Sequence, residues 1–188
     1  MASLTSWLNP FDVLIVFALL GGVAFGFVRG LVRMALSLLV LYLAAVAAMT
    51  LHVPTSNWLR FVARLPQSIS QGLSFFLILV LVSAALNFVL RRTYKDTELP
   101  GVRQIDQLGG MVIGFVLSVL WIGFSILVLA FFLRAPLGHE AGFQQVMVGY
   151  FRRSSLIPIF YRVLPVAIAT LRPWMPKGLP PEIFTFRL

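Results

Sequence analysis

The sequence predicts an all-α polytopic membrane protein: four transmembrane helices with short amphipathic helices at the interface. Three observations carry that prediction. Residues 108–133 read LGGMVIGFVLSVLWIGFSILVLAFFL without a single charge, between Asp106 and Arg134. As a helix this run reaches roughly 39 Å, more than a bilayer core of about 30 Å. Three further apolar runs, residues 11–28, 31–51 and 72–90, precede it. The composition agrees, with 60% hydrophobic and 11% charged residues and a mean hydropathy of +0.95, outside the range of water-soluble domains.

The composition also narrows the chemistry. There is no cysteine, which excludes disulfides, thiolate metal sites and cysteine nucleophiles, and leaves the redox compartment open. The net charge of +9 arises from basic residues that flank apolar runs. The expected partner is therefore the anionic headgroup of membrane lipid, with no nucleic acid and no cofactor. A second copy of the chain or another membrane protein is the other expected partner.

Taken in order, the first run begins at Asn9-Pro10, which suits an N-cap followed by proline at the first helical position. Asp12 lies where the helix dipole favours an anion. The segment lacks a basic leader, so it is expected as a retained span and not a cleaved signal, with Trp7 in the headgroup belt. Arg29-Gly30 closes the span, glycine supplying a left-handed residue. The second span follows so closely that a tight helical hairpin is expected, a bent helix being the alternative. In residues 57–65, Trp58, Phe61, Val62 and Leu65 share one face and Arg60 and Arg64 the other, which predicts a separate short helix in the interface. Span three holds Asn87 near its end. Pro100-Gly101 marks a turn before span four.

The expected division is a bundle over residues 1–134 and a surface tail over residues 135–188. In that tail Phe143, Val146, Met147, Tyr150 and Phe151 recur at amphipathic helical spacing, with Arg152 and Arg153 at headgroup level. The apolar run 156–171 is broken by Pro158, Arg162 and Pro165 and is not expected to cross the membrane. Prolines between positions 173 and 181 argue against regular helix there. Arg29, Arg33, Arg91, Arg92, Lys95 and Arg103 gather on one side, against Arg60, Arg64 and Arg134 on the other. The charge bias places both short loops in the cytoplasm and both termini outside.

A repeat runs through the chain. Gly21-Gly22-x3-Gly26-Phe27-Val28-x-Gly30 in span one matches Gly109-Gly110-x3-Gly114-Phe115-Val116-x-Ser118 in span four. Small residues four apart form a flat stripe that lets two helices approach closely in lipid, so the stripes are expected to face one another. Catalytic and metal-binding chemistry find little support. His52 and His139 lie in different segments without ligand-like spacing. Ser37, Ser83, Ser118 and Ser125 have no evident base and are expected to bond their own helix backbone. Asp12 and Asp106 each open a glycine-striped span, which suits helix capping better than ion ligation.

The segment from Phe11-Asp12-Val13 through Arg29-Gly30-Leu31-Val32-Arg33, with Asp106-Gln107-Leu108-Gly109-Gly110-x3-Gly114 and Ser154-Ser155-Leu156-Ile157-Pro158, resembles the colicin V production protein family. Met34 stands where that pattern has an acidic residue, Gln107 where it has arginine, and Leu117-Ser118 where it has arginine-glycine. Any contact built on those charges is not carried over. The resemblance implies a four-span bacterial inner-membrane protein needed for colicin V production, with a wider part in envelope homeostasis or biofilm formation. It draws attention to Asp12, Gly22, Gly26, Arg29, Gly30, Arg33, Asp106, Gly110, Gly114, Ser118, Ser155 and Pro158 as packing and motif positions. The expected function is non-enzymatic support of toxin production, export or envelope homeostasis. The alternative is a small transporter or channel with a polar site near Asp12, Asn87 or Asp106.

Overall fold

The computed structural model describes residues 9–64, 67–93, 103–134 and 141–170, all helices and their joints without a strand. Trp7, Leu65, the Pro100-Gly101 turn, His139 and the prolines of residues 173–181 lie outside the described residues.

Helix α1 spans Pro10–Arg29, with Asn9 as its N-cap, the Asn9 side chain accepting from the Phe11 N–H at 3.1 Å. Gly30 ends it at φ 79°, donating its N–H to the Gly26 carbonyl, and is the sole residue before α2, Leu31–Ala63. Helices α3, Gln67–Thr93, and α4, Arg103–Arg134, complete four helices long and apolar enough to cross a membrane. The shorter α5, Ala141–Arg153, and α6, Ile157–Ala169, follow. At about 1.5 Å per residue α6, which runs unbroken through Pro165, reaches roughly 20 Å, shorter than a bilayer core.

The hub is α4. It packs on α1 along one side and on α2 and α3 along the other, and α6 crosses it where Gly123 leaves room for Leu164. One core joins Leu41, Ala44, Ala45 and Ala48 of α2 with Phe75 and Leu79 of α3 and Phe124 of α4. A second joins Ile15 of α1 and Ile126 and Ala130 of α4 with Phe151, Ile157 and Phe160 of the last two helices. Outside these cores the helices remain apolar and uncovered: Phe17 is 71% exposed and Val28 81%. A stable fold in water would hide such side chains; in hydrocarbon they are the solvent-facing surface. The molecule is a multi-pass membrane protein.

Two sequence expectations change. The segment 57–65 is not a separate interfacial helix, because α2 runs on through Pro54 to Ala63 and stops at Arg64, φ 50°. Proline in a helix interior deletes one backbone bond; beside it Thr55 Oγ1 donates to the Leu51 carbonyl and Ser56 Oγ to that of Val53, both at 2.8 Å. Trp58, Phe61 and Val62 stay exposed, as an interfacial or lipid-facing surface requires. The chain does reverse at Gly30, but α1 and α2 do not form a tight pair. Helix α1 lays its glycines on α4, whereas α2 lays its alanines on α3.

Candidate functional site: a glycine seam between α1 and α4 and the groove beside it

Helices α1 and α4 run antiparallel with their small residues in register. Gly22 stands opposite Ser118 and Gly114, Gly26 opposite Gly114 and Gly110, and Gly30 opposite Gly110 and Asp106. The approach leaves no room for a methyl group. A Cβ on Gly114 would lie 2.9 Å from the Gly26 Cα, and one on Gly110 would lie 2.9 Å from the Gly30 Cα. Carbonyls of one helix face the Cα–H groups of the other, a geometry that adds weak polar attraction to dispersion.

Each end of α1 is tied by an aspartate. Asp106, in the first turn of α4, accepts the Leu31 N–H through Oδ1 at 2.9 Å. That N–H opens α2 and has no carbonyl of its own helix to bond. Asp12, in the first turn of α1, accepts from the Ser155 N–H at 3.0 Å, the Leu156 N–H at 3.2 Å and the Ser154 hydroxyl. Ser154 Oγ in turn accepts the Ile157 N–H at 3.2 Å, capping α6. Both carboxylates therefore cap helices, but a neighbour's helix and not their own. The anion placed at an N-terminus also meets the positive end of the helix dipole.

Nearby, Asn9 Nδ2 donates to the Tyr150 carbonyl at 2.5 Å and Phe11 meets Phe151 edge-on at 6.0 Å, so α5 is drawn to the same end. Ser155 and Pro158 are exposed: Ser155 contributes its N–H, and Pro158 occupies the first turn of α6, where a missing N–H is harmless. The Arg29 guanidinium stacks on Phe25, 3.8 Å from the ring centre. Arg33 lends its carbonyl to the Ser37 hydroxyl.

Beside the seam lies a groove of about 670 Å³. Ala18, Gly22, Phe25 and Arg29 of α1 form one wall, and Val80, Ser83, Ala84, Asn87 and Phe88 of α3 the other. Met34, Ser37 and Leu41 of α2, with Leu117, Ser118 and Trp121 of α4, form the floor. Ser37, Ser118 and Ser125 bond their own helix carbonyls, as expected. Ser83 differs: it is 4% exposed and its Oγ has no partner among the described residues. Asn87 lines the groove and donates to the Ser83 carbonyl at 2.9 Å. Asp12 and Asp106 do not line it. His52 Nδ1 lies 2.7 Å from the Met49 carbonyl in its own helix.

Sequence reasoning singled out Ser155 but not the Ser154 hydroxyl beside it, although a serine just before an apolar run is an N-cap signal. Phe25 and Arg29, four apart on one helix, were within reach of sequence reasoning; the orphan hydroxyl of Ser83 and the bond from the Leu31 N–H to Asp106 are legible only in three dimensions.

The model of the family described as colicin V production protein matches residues 11–165, from the first residues of α1 to within α6. The chain belongs to that family. The matched range takes in both aspartates, the whole seam and the Ser154–Pro158 turn. No curated protein and no solved structure matches the chain.

Proposed function

We propose that this family member is a non-enzymatic protein of the bacterial inner membrane that supports colicin V production or export, or envelope homeostasis, through packing with itself or with a membrane partner. The observation that carries this reading is the family match over residues 11–165, laid on a seam whose two carboxylates are already engaged by backbone donors. With Asp12 and Asp106 engaged as caps, the helices offer no carboxylate relay of the kind a proton-coupled carrier uses. The test is deletion of the chain's coding sequence in a colicin V producer. Toxin release or resistance to detergent should fall and return with the intact chain. Unchanged release and unchanged envelope integrity would overturn the proposal.

The groove favours a second reading, a small transporter or channel with its polar site at Asn87. Because the chain contains no cysteine, Asn87→Cys gives a clean single thiol. Modification of that thiol by membrane-impermeant reagents from both sides supports a pathway; protection from one or both sides argues against it.

A further inference from the structure

The groove between α1 and α3 has the dimensions and polarity of a lipid site, which depends on the membrane reading alone and not on any role in toxin production. From Ala18 to Arg29 the α1 wall rises roughly 16 Å, about half of a 30 Å hydrocarbon core. One end of the groove therefore lies at the interface, where α1 and α3 finish, and the other near the middle of the helices at Trp121. A pore would continue to the far side; a single leaflet would not.

The interfacial end is cationic. Phe25 and Phe88 line the groove, and each carries an arginine on its ring: Arg29 at 3.8 Å and Arg92 at 5.4 Å from the ring centres. Among the described residues no acidic side chain lines the groove. A guanidinium presents five donors, so one already bonded still has donors to offer a phosphate. Below them, roughly 7 Å along the α3 axis from Phe88, the buried Ser83 hydroxyl has no acceptor among the described residues. An ester carbonyl of a glycerolipid, beneath its phosphate, is the acceptor that depth provides. Deeper still the surface is apolar, formed by Ala18, Leu41, Leu117 and Trp121.

We propose that this groove holds one anionic phospholipid, its phosphate between Arg29 and Arg92, an ester carbonyl on Ser83 Oγ and an acyl chain descending to Trp121. Helices α1 and α3 pack on α4 and α2 and not on each other, which leaves the groove open sideways to the bilayer.

The experiment uses the full chain with its other three tryptophans changed to phenylalanine, reconstituted in phosphatidylcholine vesicles. Trp121 fluorescence is quenched with a small fraction of chain-brominated phosphatidylglycerol, or with the same fraction of brominated phosphatidylcholine. The expected result is a roughly thirtyfold preference for the anionic lipid, the scale of two arginines at an anionic surface. Arg29→Gln with Arg92→Gln should bring that preference close to one. Ala84→Phe, at an exposed position inside the groove, should weaken quenching by both lipids. Equal quenching by the two lipids in the parent, a preference that survives the double arginine variant, or quenching left unchanged by Ala84→Phe, would overturn the proposal. Loss of the preference in inorganic phosphate buffer, with Ala84→Phe inert, would overturn it too, by assigning the arginines to a free anion.

Discussion

At the scale of single residues, the glycines and the aspartates do complementary work. Gly26 and Gly110 are required because backbone occupies the space a side chain would need. Replacing Gly26 by alanine should destabilise the bundle by about 1–3 kcal/mol through overpacking. Gly26→Leu with Gly114→Leu should separate α1 from α4, seen as loss of the folded baseline in a detergent denaturation titration. Gly30 is held twice, by its φ of 79° and by the Asp106 carboxylate against it. Asp106→Ala strands the Leu31 N–H and should lower stability by about 1–3 kcal/mol, read in the same titration. Ser154→Ala removes a donor to Asp12 and the acceptor for the Ile157 N–H. It should cost about 1 kcal/mol and show first as faster amide exchange in the opening turn of α6.

At the scale of elements, the helices differ in how they are held. Helix α1 is the least covered, with 11% of its apolar window buried, so its position depends on the seam and the two clamps. Helix α2 is anchored by an alanine face against α3 and carries Pro54 beyond that contact. Pro54 is exposed, so Pro54→Ala touches no packing and restores a backbone bond. That substitution should raise the stability of the α2 end by up to about 3 kcal/mol, measured by hydrogen exchange over residues 50–63. Helix α5 is joined to the bundle chiefly through Phe151, while Val146 and Tyr150 remain 53% and 41% exposed. Its amphipathic face is thus only partly covered by the bundle.

At the scale of the whole molecule, antiparallel α1 and α4 bring Arg29, Gly30 and Asp106 to one end and Asp12, Ser154 and α6 to the other. Arg29, Arg33 and Arg92 lie at the end where the groove opens. We propose from the charge bias that this end faces the cytoplasm and that both termini lie outside. A reporter active only in the cytoplasm, fused after Leu188, should be silent, and the same reporter inserted within residues 94–102 should be active. The reversed pattern would invert the orientation and move the lipid groove to the outer leaflet.

What the sequence by itself determined was the class of solvent and the count of crossings. The bilayer imposes a length and a polarity on each helix, and both are local properties, readable residue by residue from the apolar runs, the Asn9-Pro10 start and the Gly30 stop. The two matching glycine stripes were legible as well, since a period of four on a helix places small residues on one face. Only the tertiary structure decided which faces meet. Whether α1 joins α2 or α4, whether Asp12 and Asp106 cap their own helix or a neighbour's, and whether Pro54 ends α2 all turn on competing partners for the same groups. Such competition is settled by the fit of whole surfaces and by which backbone donors remain unpaired. The groove is its residue: it exists because α1 and α3 each found a better partner than one another.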